Sequence, residues 1–323
     1  MVWFWKSRAN AIGVDLNGDS LKLVQLASNG KSVNLIAGRI ENRPESVQPG
    51  SAGWQRWAMG AITEAMSSGR FRGKEVIAAI PASDVFIDNI KISTPFTKPP
   101  SGTSGKKKAD DEVPPAVFSK IKQKLPFQAN NGMVRYIPTE DDNALVLATE
   151  RTIIDRHLAI YEKSGLNIKS ICVWPVALTN CYTRFFGRRK ADLRMVIMLL
   201  DIEANCTNVV VCRHKNLLFA RSIPIGAQKL SDEKILTRLV LELNACRRHF
   251  SSMYPSTRIE RLVFLSGSAV DEDIYRTIAK QLEMQAQVGD CLAAVELESL
   301  YTSGVDRRDC RVNWAIAFGL SLS

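Results

Sequence analysis

The sequence predicts a two-lobed α/β fold made by duplicating one unit, with a small α+β piece inserted into the first copy. Three observations carry this. The order strand–strand–strand–helix–strand occurs twice. The copies superpose at an offset of 186 residues, which sets Asp15 on Asp201, Val24 on Val210 and the turn Ser28-Asn29-Gly30 on His214-Lys215-Asn216. Between them lies a stretch of different texture, from Val85 onward. With 323 residues the chain has room for two lobes, since domains run at roughly 150 residues.

Ala11–Asp15 and Ser20–Leu26 read as strands, and Ser28-Asn29-Gly30 supplies residues that tolerate positive φ for a tight turn into a third, Lys31–Ile40. Pro44–Gly53 is a loop. Trp54, Trp57, Ala58, Ala61, Ile62, Ala65 and Met66 recur at steps of three and four, which predicts a helix with one apolar face. Glu75–Ile80 is a buried strand and Val85–Ile92 an alternating one. Lys98–Ala116 is rich in Pro, Gly and Ser and sets Lys106-Lys107-Lys108 against Asp110-Asp111-Glu112; it cannot bury a core and is expected to be a dispensable loop. Val117–Leu125 reads as a short helix, Met133–Ile137 and Ala144–Thr149 as strands, and Ile153–Tyr161 as a helix stopped at Gly165. Ile168–Trp174 is a strand and Val176–Phe186 a helix. The second copy follows with strands Met195–Ile202, Cys206–Cys212 and Leu217–Ile225. Its long helix carries Leu236, Leu239, Val240, Leu243, Phe250 and Met253, and Leu262–Leu265 answers Val76–Ile80.

Composition closes off several classes. Hydrophobic residues are 46% and charged residues 24%, which excludes a disordered or fibrous chain. The longest apolar run is Met195–Leu200, far short of the roughly 20 residues a membrane span needs. Met1–Arg8 lacks the run and cleavage site of a signal peptide. Its Trp3, Phe4 and Trp5 beside Lys6 and Arg8 suit either an anionic bilayer surface or an edge strand. Seven scattered cysteines and three distant histidines argue against zinc or a disulfide framework and for reduced thiols. The net charge of +10 permits contact with nucleic acid or an anionic membrane. Arg184, Arg188, Arg189, Lys190 and Arg194 surround Phe185 and Phe186, a pattern that can stack bases. The plainer reading buries those phenylalanines under the preceding helix, and no nucleic acid is expected.

The chemistry concentrates in the two hairpins. Each has a strand ending in Asp, a tight turn and a returning strand. Two such turns facing each other can clamp phosphates with backbone N–H groups, and Asp15 and Asp201 can hold magnesium through water. The bland alternative makes both aspartates mere strand ends. Lys22, on the outgoing strand, can also help hold a phosphate. Asp19 and Glu203 add two carboxylates that would repel one, so a phosphate ligand with magnesium is expected to bind weakly or not at all.

At these residues the sequence resembles the type IV pilus assembly protein PilM family, in the actin-like branch that includes FtsA. Ile12–Val24 is similar to its first phosphate motif and Leu200–Thr207 to its second. Phe219–Gly226 looks like the strand and glycine turn that follow. Val240-Leu-Glu-Leu243 sits where a helix glutamate, here Glu242, touches the nucleoside. Leu262–Ala269 resembles the adenosine motif and Asn313–Leu322 the closing helix. The resemblance implies a duplicated actin-like (ribonuclease H-like) fold. Its nucleotide residues, if binding is retained, would be Asp15, Asn17, Gly18, Asp19, Ser20, Lys22, Asp201, Glu203, Thr207, Gly226, Glu242, Gly267 and Ser268. Asn17, Glu203, Ala227 and Ser268 stand where the family usually keeps glycines, where a Cβ obstructs a ligand.

The resemblance further implies a cytoplasmic adaptor at the inner face of the inner membrane. It would bind the N-terminal cytoplasmic peptide of a PilN-like membrane protein and contact other pilus assembly proteins. The competing reading is an active ATPase or phosphotransferase of the same superfamily, but no carboxylate has a clear claim to be its base. The expected division is 1–84 for the first lobe, 85–166 for the inserted subdomain, 167–190 for the return to the first lobe, 191–309 for the second lobe and 310–323 for the closing helix.

Overall fold

In the computed structural model, residues 9–29, 32–92, 114–297, 303–305 and 311–323 are described. Residues 1–8, most of the Lys98–Ala116 segment, Gly30 and Cys310 lie outside them.

Ile12–Leu16 (β1), Ser20–Asn29 (β2) and Ser32–Asn42 (β3) form an antiparallel meander. Every residue of β1 is buried, as its apolar run requires of a strand covered on both faces. Ala52–Ser67 (α1) starts at Ser51, whose Oγ accepts from the Trp54 N–H at 3.1 Å. It lays Trp54, Ala58 and Ile62 on the outer face of the sheet. Glu75–Ile80 (β4) then returns parallel to β1.

The insertion follows. Phe86–Lys91 (β5), Gly132–Pro138 (β6) and Asn143–Glu150 (β7) make an antiparallel sheet in the order β5-β7-β6. Pro115–Ile121 (α2) packs Val117 and Ile121 into it. Arg151–Lys163 (α3) ends before Gly165 at φ +73 and leads to Asn167–Val173 (β8), parallel to β4. Ile160 and Tyr161 of α3 join the core beside α1, because the apolar face of α3 has that sheet to cover.

Trp174–Phe185 (α4) crosses between lobes. The second meander is Val196–Ile202 (β9), Thr207–Arg213 (β10) and Asn216–Ile223 (β11), turning at His214 with φ +51. Glu233–Met253 (α5), Arg261–Phe264 (β12), Glu272–Gln281 (α6) and Ala286–Val288 (β13) complete a sheet ordered β11-β10-β9-β12-β13. The chain then goes back. Glu296–Leu297 (β14) pairs with β3, and the Gly38 N–H donates to Ser303 O at 2.8 Å. The returning chain thus lies along the free edge of β3.

Ala315–Ser321 (α7) lies beside α4, and the two helices fill the space between the sheets. An ideal Cβ on Gly319 would stand 1.8 Å from Ala177 O, and one on Gly13 2.1 Å from Ala317 O, so both glycines are required by close backbone approach. The inserted sheet leans on the second lobe. Asn89 donates to Ala220 O at 3.0 Å and accepts from its N–H at 3.3 Å, and Thr139 meets the Tyr254 hydroxyl at 2.7 Å.

Candidate functional site

The two meanders point their turns at one cleft, a cavity of about 600 Å³. Register builds its floor. Asp15 stands opposite Lys22 across β1 and β2, and Asp201 opposite Asn208 across β9 and β10. Both pairs keep the duplication offset, so Lys22 and Asn208 are equivalent positions that each face their own aspartate.

Lys22 is buried, and its ammonium donates to Asp15 Oδ2 at 3.2 Å. It also reaches across the cleft to Glu203 Oε1 at 3.3 Å and Oε2 at 3.4 Å. Asp201 is fully buried; Asn313 donates to its Oδ1 at 2.6 Å and Asn208 to its Oδ2 at 3.0 Å. Asn313 extends to Glu203 Oε1 at 3.3 Å, which ties the start of α7 into the same network.

The first turn is closed on itself. Asn17 Oδ1 accepts from the N–H groups of Asp19 at 2.9 Å and Ser20 at 2.8 Å. Those are N–H groups that a phosphate-binding turn offers to its ligand. Asp19 accepts from Asn205 Nδ2 at 2.5 Å on Oδ2 and lies 3.4 Å from Arg43 Nη2 on Oδ1. Asp19 and Asn205 are again duplication equivalents, and they meet across the cleft mouth. Arg43 also donates to Gly18 O and Val47 O, which fixes the loop after β3 to this turn.

The cavity therefore gathers Asp15, Asn17, Gly18, Asp19 and Glu203 on its walls. The other expected positions serve elsewhere. Ser20 is buried in the first turn. Thr207 Oγ1 donates to Ile225 O at 2.7 Å. A Cβ on Gly226 would stand 2.5 Å from the backbone of Ala204 and Asn205, so this glycine is spent on packing against the second turn. Glu242 pairs with Arg221 at 3.3 Å on the half-exposed face of α5. Gly267 takes φ +57, its carbonyl accepts from the Tyr275 hydroxyl at 2.8 Å, and its Cβ position lies 3.7 Å from Asp290. Ser268 follows in the same short turn, Gly267–Ala269. Asn205, Asn208, Asn313 and Arg43 were not foreseen as site residues. The offset that matched Asp15 to Asp201 would have found Asn208 from Lys22 and Asn205 from Asp19; Asn313 had no such signal.

Three carboxylates share one ammonium. Burial alone would lower the Lys22 ammonium, but Glu203, Asp15 and Asp201 together hold it above the ordinary lysine range. Burial pushes the Glu203 carboxyl up to about 8, against the pull of Lys22 and with the push of Asp201 and Asp15. Burial also raises Asp201, opposed by the amides of Asn208 and Asn313 and by Lys22.

A family model described as type IV pilus assembly protein PilM matches residues 13–244. The chain belongs to this family. It is similar to the solved structure of a PilM-PilN type IV pilus biogenesis complex, with TM-score 0.73 and 18% identity over 97% of this chain and 98% of that one. It is also similar to a Bacteroides thetaiotaomicron protein described as having an actin-like ATPase fold (TM-score 0.52, 11% identity, 92% and 96% covered). A third likeness is to the ethanolamine utilization protein EutJ from Carboxydothermus hydrogenoformans (TM-score 0.51, 12% identity, 98% and 89% covered). These likenesses show the actin-like fold, in agreement with the duplicated two-lobed α/β plan read from the sequence. Among the described residues no helix is long and apolar enough to cross a membrane.

The residues present do not fit a magnesium–triphosphate group as arranged. Both oxygens of Asp201 already accept amides, Asp15 holds an ammonium, and the first turn's N–H groups are taken by Asn17.

Proposed function

We propose that this PilM-family chain is a cytoplasmic adaptor of a type IV pilus or related secretion machine. It binds the cytoplasmic tail of a PilN-like inner-membrane protein and works at the inner face of that membrane, in peripheral association with it. ATP binding is weak or lost. The observation that carries the last point is Lys22, which bridges Asp15 and Glu203 between the two phosphate-type turns. The ammonium does with one side chain what a cation and phosphates do between such turns: it supplies the charge that lets opposing carboxylates face each other.

A triphosphate entering here would have to displace Lys22 from Glu203. It would also take Lys22 from Asp15, and a phosphate charge about 5 Å from that carboxylate costs roughly 3 kcal/mol at an effective dielectric near 20, or about a hundredfold in affinity. An active phosphotransferase would need a carboxylate free to act as base. Asp15, Asp201 and Glu203 are each engaged by an ammonium or an amide.

The partner's tail is assigned to the cleft beside the inserted sheet. Pro81, Phe86, Ile87 and Trp174 give that side an apolar wall, while Asp15, Asp19 and Glu203 leave the other acidic. An extended peptide with apolar anchors suits such a wall. Two calorimetric titrations test the function. A tail peptide from a neighbouring membrane gene should bind, and Phe86→Ala should weaken it about tenfold, the worth of one well-packed apolar anchor. Magnesium-ATP should give no measurable heat below millimolar concentration, and Glu203→Gly with Asp19→Ser should bind it more tightly. Micromolar ATP binding by the wild type would reject the lost-nucleotide reading, and a folded chain that binds no tail would reject the adaptor.

A further inference from the structure

We infer that the turn between α4 and β9 is a docking surface for an anionic lipid bilayer, an inference that deepens the peripheral membrane association proposed above and rests on it. Arg188, Arg189, Lys190 and Arg194 are exposed in this turn, and Leu193 keeps 45% of its surface in solvent among them. The one acid in the run is turned inward. Asp192 is buried, accepts from the Arg189 N–H at 3.1 Å on Oδ2, and lies 3.4 Å from Arg261 Nη2 on Oδ1. Two backbone bonds hold the rest: Asp192 N–H to Arg189 O at 2.9 Å and Arg194 N–H to Ala191 O at 3.3 Å. The turn is thus a preformed loop that shows cations and one leucine outward and keeps its carboxylate for itself.

Its place in the fold fits a surface contact. The end of α4 is held between the far turns of both meanders, by Arg184 Nη2 to Ser32 O at 3.3 Å and Thr183 Oγ1 to His214 O at 3.2 Å. This is the end of the molecule opposite the cleft. Ala9 pairs with Ala27 toward the same end. Anionic headgroups attract each nearby Lys or Arg, and an exposed leucine gains by entering the acyl boundary. Nucleic acid is the weaker match. Phe185 and Phe186, the rings that would stack bases, pack against the interlobe core, with Phe185 edge-on to Phe318 at 6.0 Å.

With this face on the membrane, the cleft stands about one strand length away, roughly 23 Å for a strand of seven residues. An extended tail must then run about seven residues before it reaches the cleft wall.

The test is co-sedimentation of the full chain with vesicles made of equal parts phosphatidylglycerol and phosphatidylcholine, against phosphatidylcholine alone, at low and at high salt. The wild type should bind the anionic vesicles, less at high salt, and leave the neutral ones. Reversing three charges (Arg189→Glu, Lys190→Glu, Arg194→Glu) should weaken binding roughly a hundredfold or more. The milder variant with Gln at the same three positions should fall in between, and Leu193→Ala should cost a few-fold. Equal binding by wild type and both triple variants would overturn the inference. So would binding to duplex DNA with none to anionic vesicles. Tail-peptide calorimetry on the same variants separates the two readings: a tail that binds while vesicles do not sinks the lipid surface alone, and vesicle binding without tail binding sinks the adaptor alone.

Discussion

Lys22 Nζ sits among the carboxylates of Asp15, Asp201 and Glu203 and can offset one of their charges. Removing it leaves buried carboxylates with no cation, so Lys22→Met should cost about 3–5 kcal/mol of stability. Adding Asp15→Asn to it should restore part of the loss; equal melting of wild type and Lys22→Met would show that the network contributes nothing. The same cluster sets a pH dependence. Glu203 is raised from 4.5 to about 8 in the folded chain, so the folded state holds this proton more tightly than the unfolded one. Its contribution is full below pH 4.5 and is lost as pH climbs through 8. The stability of the wild type, minus that of Glu203→Gln, should fall by a few kcal/mol across this window and level off above it. A difference that stays flat with pH, followed by chemical denaturation, would place Glu203 in water. From sequence, Glu203 and Asp19 read as charges facing a phosphate. The structure gives each a side-chain partner instead: Glu203 meets Lys22, because a carboxylate so deep in a cleft has to be paired, and Asp19 meets Asn205 and Arg43 at the cleft mouth. Which partner it finds depends on side-chain reach across the lobes, which no local pattern encodes.

At the scale of elements, strands and helices followed from periodicity. β1, β4 and β9 are apolar runs buried on both faces, and α1 and α5 carry stripes wide enough to cover a sheet. The late elements α6, β13 and β14 were not read. β13 is three exposed residues and β14 two, too short for a period to show. α7 was legible only through its likeness to a family motif, since it is buried all round and has no polar face to mark a period. Its packing yields a sharp prediction. Gly319→Ala puts a methyl group 1.8 Å from Ala177 O in the neighbouring helix, where backbone and not a flexible side chain must yield. The substitution should cost about 3 kcal/mol or more, as overpacking does, despite alanine's better helix propensity. A thermal midpoint equal to the wild type's would mean that α4 and α7 are not in contact through this glycine.

Over the whole molecule, the duplication was the feature most open to sequence reading, because one offset aligned aspartates, strands and turns together. It located the cleft but not its contents. Equivalent positions have diverged in kind: Lys22 answers Asn208, and Asn17 answers Glu203, so one repeat supplies the cation and the other the anion that it crosses the cleft to meet. The lobes are further joined by Asn205 to Asp19 and by Asn313, which touches both Asp201 and Glu203. A cleft bridged in this way is set in its binding geometry by its own side chains, and a partner that reads that geometry should not depend on nucleotide. The direct measurement is a calorimetric titration of the PilN-like tail peptide into nucleotide-free protein, repeated with saturating magnesium-ATP. Equal affinity in the two titrations is the predicted result. Binding that appears only with magnesium-ATP, or strengthens tenfold or more, would mean that Lys22 gives way to a nucleotide and that the cleft is a working ATP site.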